Sequence, residues 1–218
     1  WPMDAPAPRA ALDIVVPPYL RMDEALRMLQ GIDVRLVQSQ SIGYDGVAEK
    51  LPAGSVFANA STVHEAATAE LAVALTLAAQ RDLAFHVRGQ DAGLWRPRFS
   101  PGLADRRILV IGYGGVGKTI AARLEPFEVC VHVVASTARV ENGLTVHAIE
   151  NLYALLPGAD IVILALPGGD ATRHVIDDAA LSAMPDGALL VNVGRGTLVN
   201  TDALVSHASR GRIRAAID

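Results

Sequence analysis

Gly112-Tyr113-Gly114-Gly115-Val116-Gly117-Lys118-Thr119 satisfies two motifs at once. Taken as G-x-G-x-x-G, through Gly112, Gly114 and Gly117, it is a dinucleotide-binding fingerprint. Taken as G-x-x-x-x-G-K-[ST], it is the P-loop of nucleotide hydrolases. Both motifs set glycines between a strand and a helix N-terminus, where backbone N–H groups must approach phosphate closely. Four glycines within six residues are costly in backbone entropy, which argues against a plain strand–helix turn.

The surrounding strands decide between the two. A P-loop enzyme holds Mg²⁺ with help from an Asp at the end of an apolar strand. The strand ends here read VCVHVVAS, DIVILALPG and ALLVNVGRG, and none supplies that Asp; the only apolar run followed by Asp is AAID, at Asp218. A dinucleotide fold instead places an acid about 20 residues on, against the ribose hydroxyls. That position is Ala135, followed by Ser136, Thr137 and Arg139. With two hydroxyls and a guanidinium in place of a carboxylate, this end favours NADP over NAD.

The pattern around the fingerprint repeats strand and helix. RILVIG (107–112), VCVHVV (129–134), DIVILAL (160–166), ALLVNV (188–193) and RIRAAI (212–217) read as strands, separated by helical segments. Thr201 reads as the N-cap of one of them. Upstream, LDIVVPP, RMDEALRMLQ, DVRLVQ and SVFANA give a shorter strand–helix–strand run. A long apolar helix is expected from about Thr62 to Phe85, capped by Thr62 or Ser61, with Glu65 placed as a capping-box partner for Thr62. The expected fold class is α/β: a doubly wound parallel sheet (Rossmann) in residues 90–218, C-terminally truncated, and a smaller, incomplete flavodoxin-like domain in 1–89.

Composition narrows the partners. The 218 residues are 51% hydrophobic and 19% charged, with a net charge of −4. Without a basic block, nucleic acid is not an expected partner. Ala66–Gln80 is the most apolar long segment, but it is too short for a membrane span and carries Glu70. A single cysteine, Cys130, suits a reducing cytoplasm. No metal-ligand spacing stands out.

Several segments then fall into one order. SIGYDGV (41–47), ATAEL (67–71), GLW (93–95), ALPGGDATRHVID (165–177), MPDGALLVNVGRGTLVN (184–200) and GRIRAAID (211–218) together resemble the D-isomer-specific 2-hydroxyacid dehydrogenases. That family includes glyoxylate/hydroxypyruvate reductases and phosphoglycerate dehydrogenases. The resemblance implies hydride transfer between NAD(P)H and a small 2-oxo or 2-hydroxy acid, in a homodimer built largely on the nucleotide domain. It implies that Arg195 is catalytic and binds the substrate carboxylate, with Ser41, Ile42 and Gly43 lining the substrate. The cofactor set would be Gly112, Gly114, Gly115, Val116, Gly117, Ser136, Thr137, Arg139, Leu166, Pro167, Thr172, Val193, Gly194 and Asp218.

The sequence departs from the family pattern in places. NAST (59–62) stands where N-x-P-G is usual, and PPYL (17–20) puts Tyr19 and Leu20 at the expected substrate mouth, favouring a small or apolar substrate. The resemblance places the family's catalytic Glu and His past Asp218. His64, His86, His132, His147, His174 and His207 match neither, so the fragment is expected to be inactive; a start at Trp1 and a stop within the strand-like RIRAAID make both ends read as cut. Two other readings compete: a nucleotide-sensing or corepressor-like module without catalysis, and the P-loop NTPase.

Overall fold

The computed structural model describes residue 1 and residues 3–218. The chain divides into two compact units, 1–64 and 65–218. The division falls ahead of the expected boundary at 89–90 because the helix that opens the second unit packs on the larger sheet.

In the first unit, strands β1 (Ala11–Val15), β2 (Asp33–Gln38) and β3 (Val56–Ala58) form a parallel sheet in that order. Helix α1 (Met22–Met28) joins β1 to β2 and buries Ala25 and Leu26 against Val34 and Val37. Leu29 completes this core, immediately before the chain turns back toward β2.

The second unit opens with α2 (Glu65–Gln80) and α3 (Leu83–Asp91). One continuous helix was expected from 62 to 85. Instead Asp82 takes a left-handed φ of 50° and splits it, and its carboxylate accepts from Ser100 Oγ at 2.7 Å and pairs with Arg98. Thr62 is no N-cap. Its φ of 73° is left-handed, whereas a capping residue is extended.

The larger sheet contains β4 (Arg107–Ile111), β5 (Cys130–Ala135), β6 (Arg139–Glu141), β7 (Leu144–Ala148), β8 (Ile161–Leu164), β9 (Leu189–Asn192) and β10 (Arg214–Ile217). Its order is β10-β9-β8-β4-β5-β7-β6, parallel throughout except for β6. Without β6 this is the doubly wound order, reversing direction at β4. The central strands β4, β8 and β9 are buried on both faces along nearly their whole length, as a sheet covered on both sides requires. Ile108 and Val110 pack with α2 and with α4 (Gly115–Leu124). Leu109 and Ile111 face the opposite core, shared with α6 (Asp178–Ala183) and α7 (Thr201–Ser209). Between β7 and β8 lies α5 (Leu152–Leu155), one α-helical turn flanked by 3₁₀ turns.

Sequence reading did not foresee the β6–β7 hairpin. Its turn is Asn142-Gly143, with φ values of 49° and 78°. Asn-Gly supplies the two positive-φ residues that a tight type I′ hairpin needs. The cap of α7 also shifts by one residue: the Asn200 side chain, not Thr201, accepts from Ala203 N at 3.1 Å.

Candidate functional site

The glycine loop leaves β4 and enters α4 without an intervening excursion. Gly112 has φ of 101°, and a Cβ there would lie 2.6 Å from the Ala165 carbonyl oxygen. At Gly117 a Cβ would overlap the carbonyl oxygen of Gly112. These two glycines let the first turn of the helix sit against the strand end, while Gly114 and Gly115 remain exposed. Such a cradle, opening onto helix N-terminal amides, suits a pyrophosphate.

The same geometry removes the P-loop. Helix α4 begins at Gly115, so Gly117, Lys118 and Thr119 already lie in its first turns. Thr119 Oγ1 donates to the Gly115 carbonyl at 2.8 Å, and Lys118 pairs with Glu141. No loop remains between Gly112 and Gly117 to wrap a phosphate chain.

The carboxyl ends of neighbouring strands converge on this loop. Gly112 meets Ala165 after β8, and a Cβ on Gly194, after β9, would lie 2.8 Å from the Leu166 carbonyl oxygen. Val193 N donates to the Leu164 carbonyl at 3.3 Å. Thr172 Oγ1 donates to the Pro167 carbonyl at 2.9 Å and closes the turn that carries Leu166 and Pro167. At the next strand, Asp218 N donates to the Asn192 carbonyl at 3.3 Å. The cofactor residues expected after β4, β8, β9 and β10 therefore share one edge of the sheet, at the point where its strand order reverses. Ligands of doubly wound folds bind there.

Arg195 stands exposed on the turn after β9. Sequence reading missed what fixes that turn. Asn192 is 6% exposed; its Nδ2 donates to the Arg195 carbonyl at 2.9 Å, and its Oδ1 accepts from Gly194 N at 3.0 Å. The Arg195 Nη1 donates to the Gly194 carbonyl at 3.0 Å. One buried amide thus holds both ends of the turn that presents the guanidinium. A buried polar residue ending an all-apolar strand was the available signal.

Ser136 and Thr137 lie exposed just past β5, and Arg139 opens β6. The Arg139 guanidinium donates to the Tyr113 carbonyl at 3.2 Å and the Thr137 carbonyl at 3.4 Å, and its Nε donates to Glu141 Oε2 at 2.9 Å. Glu141 also receives Lys118 Nζ. Both cations flank the Tyr113 ring, with Lys118 Nζ at 5.8 Å and Arg139 Cζ at 5.9 Å from its centroid. Lys118 first, then Arg139, hold the Glu141 carboxyl below its ordinary range. Glu141 escaped the sequence reading because the hairpin did.

In the first unit, Ser41, Ile42 and Gly43 follow β2 in a loop closed by its own polar groups. Ser41 N donates to Ser39 Oγ at 3.0 Å, Ser41 Oγ donates to the Gly43 carbonyl at 3.2 Å, and Asn59 Nδ2 donates to the Ile42 carbonyl at 2.9 Å.

The histidines have other partners. His64 Nε2 lies 2.7 Å from the Gln40 carbonyl, His86 packs edge-on against Phe85, and the His132 and His147 rings lie 6.4 Å apart, tilted by 47°. His207 is buried: its Nε2 donates to Asp178 Oδ1 at 3.0 Å and its Nδ1 accepts from Arg212 Nε at 2.8 Å. The backbone N–H of His174 donates to the Thr197 carbonyl at 2.8 Å.

A doubly wound sheet with a glycine cradle at its reversal point defines a dinucleotide-binding domain. Residues 73–218 match the model of the D-isomer specific 2-hydroxyacid dehydrogenase NAD binding domain, and the chain belongs to that family. It is 32% identical over 196 residues to the 2-ketogluconate reductase of Gluconobacter oxydans, covering 88% of this chain and 62% of the relative. To the glyoxylate reductase of Pyrococcus horikoshii it is 32% identical over 195 residues, covering 84% and 58%. Among solved structures it resembles an NADPH-dependent glyoxylate/hydroxypyruvate reductase from Sinorhizobium meliloti in complex with NADP and malonate. That match has a TM-score of 0.79 and 28% identity, covering 94% of this chain and 66% of the other. The chain spans 62% and 58% of the lengths of the two curated reductases.

Proposed function

We propose that this chain supplies the cofactor-binding and carboxylate-binding parts of an NAD(P)-dependent oxidoreductase acting on a small 2-oxo or 2-hydroxy acid. The observation that carries this is the common sheet edge: the Gly112–Gly117 cradle, the Leu166–Pro167 turn and the Arg195 turn all leave strands at their carboxyl ends. When bound, the reduced nicotinamide supplies the hydride.

The chain's own residues do the rest. Gly115 and Val116, opening α4, offer amide donors to the pyrophosphate. Ser136, Thr137 and Arg139 receive the ribose end, with a preference for NADP over NAD. Thr172, Val193, Gly194 and Asp218 border the nicotinamide half of the groove. Arg195 pairs with the substrate carboxylate and faces the carbonyl oxygen on which negative charge grows. Asn192 holds that guanidinium's backbone in place before substrate arrives. Ser41, Ile42 and Gly43 meet the substrate in the first unit, which we assign as the substrate domain.

Turnover of glyoxylate, hydroxypyruvate and 2-ketogluconate by the full-length protein that carries this chain, with loss of reduced-nicotinamide absorbance as readout, tests the reading. Arg195→Ala should lower kcat/KM by about 10²–10³ while leaving cofactor affinity unchanged. An unchanged kcat/KM would remove Arg195 from the chemistry.

We further propose a homodimer. Phe85, Leu94, Trp95 and Phe99 line an apolar groove of about 610 Å³ beside α3, with Trp95 92% exposed. Aromatic surface of this kind is characteristic of interfaces. Cys130, exposed and unbridged, suits a reducing cytoplasm.

A further inference from the structure

We propose that Glu141 tempers the cofactor preference of this protein by occupying, with its own carboxylate, the two cations that a ribose 2′-phosphate would recruit. The proposal rests on the NAD(P)-binding reading above.

The first observation is a substitution of position. The end of β5 carries Ala135, Ser136 and Thr137, with no carboxylate. The hairpin that follows supplies one on β6: Glu141 pairs in register with Leu144, at the start of β7, and its side chain meets Arg139 and Lys118. It arrives bracketed by positive charge: Arg139 Nε at 2.9 Å on one oxygen, and the Lys118 ammonium on the other.

The second observation is that the guanidinium is anchored. Its two terminal nitrogens donate to the carbonyls of Tyr113 and Thr137. Tyr113 is the second residue of the glycine fingerprint, and Thr137 follows the strand whose end meets the ribose. Arg139 is thereby fixed between the pyrophosphate loop and the ribose end, with its Nε committed to Glu141. Lys118 reaches the same carboxylate from α4.

A carboxylate between two cations has the charge pattern that a phosphate would create there. A 2′-phosphate gains Lys118 and Arg139 only by displacing Glu141. Until it does, it also meets a like charge. A 2′-hydroxyl meets no such repulsion and can donate to the same carboxylate. Glu141 therefore works against the Ser136–Thr137–Arg139 end, and its removal should sharpen the preference for NADP(H).

The test is binding of NADPH and NADH to the full chain by fluorescence titration, in wild type, Glu141→Gln and the Glu141→Gln/Lys118→Ala double variant. Glu141→Gln should tighten NADPH roughly tenfold, with NADH unchanged or weaker. Lys118→Ala in that background should remove most of the gain. The wild-type to Glu141→Gln ratio for NADPH should shrink at high salt, as expected for a charge effect. An equal shift for both cofactors would mark Glu141 as merely structural and overturn the proposal, as would no shift for NADPH. Failure of the wild-type chain to bind either cofactor would instead overturn the binding reading, and this proposal with it.

Discussion

Gly117 shows how much one missing methyl group decides. A Cβ there would collide with the Gly112 carbonyl, and backbone cannot yield as a flexible side chain can. Gly117→Ala should force α4 away from β4, costing about 1–3 kcal/mol as an overpacked site does, and weaken NADPH binding in parallel. Urea unfolding and cofactor titration would check both; a variant as stable as wild type would refute the packing argument. Residues of this kind were readable in sequence because glycines at G-x-G-x-x-G spacing, set between a strand and a helix, serve close backbone approach, to phosphate or of helix to strand. Asn192 was not. Its place at the end of an apolar run marks a buried polar group but does not name its partners, since the link to Arg195 closes only once the strand and the turn have three-dimensional positions.

Among the elements of the larger sheet, five of its six parallel strands, β4, β5, β8, β9 and β10, were visible as apolar runs, with ends misplaced by at most two residues. β10, for example, starts at Arg214 rather than 212. What stayed hidden were breaks that depend on tertiary contacts. Asp82 interrupts a helix-favouring run because Ser100 and Arg98 hold its carboxylate. The hairpin was different: Asn142-Gly143 announced it, but short, charged β6 lacks the hydrophobic alternation that marks a strand.

Pairing between β4 and β8 also has a polar clip. Asp160, just before β8, accepts from Arg107 N at 2.8 Å and from the Arg107 guanidinium. Partial burial raises the Asp160 pKa, but the Arg107 hydrogen bonds and charge outweigh it, so the net shift is downward. The sign follows. A carboxylate with a depressed folded pKa stabilises the fold above its unfolded value, about 3.9. That contribution disappears as pH falls through the lower folded value. Asp160→Asn should therefore lower the melting temperature at neutral pH and converge with wild type in strong acid. Parallel melting curves across the whole pH range would contradict this.

At the scale of the molecule, the two units differ in what covers them. The larger sheet is clad on both faces by helices, yet the segment after α3 leaves Trp95 and Phe99 almost wholly in solvent. Burial of that aromatic pair in a twofold contact is the expected resolution. Trp95→Glu should convert a dimer to a monomer in sedimentation equilibrium without lowering the melting temperature of the separated chain. A wild-type chain that is already monomeric at micromolar concentration would end the dimer proposal. Which 2-oxo acid the proposed activity would take was never legible at this scale, because selectivity among small acids rests on a few side chains at the substrate, not on the fold.

The antiparallel strand β6 has one more consequence. It closes the outer margin of the sheet with three residues, two of them charged and joined by an ion pair. Without it, β7 would present a row of unpaired amides and carbonyls, an invitation to strands of other molecules. The few residues proposed to arbitrate between two nucleotides thus also shield the protein from templated self-association. Any natural or engineered drift in cofactor choice through Arg139 and Glu141 must pass a solubility filter as well as a catalytic one.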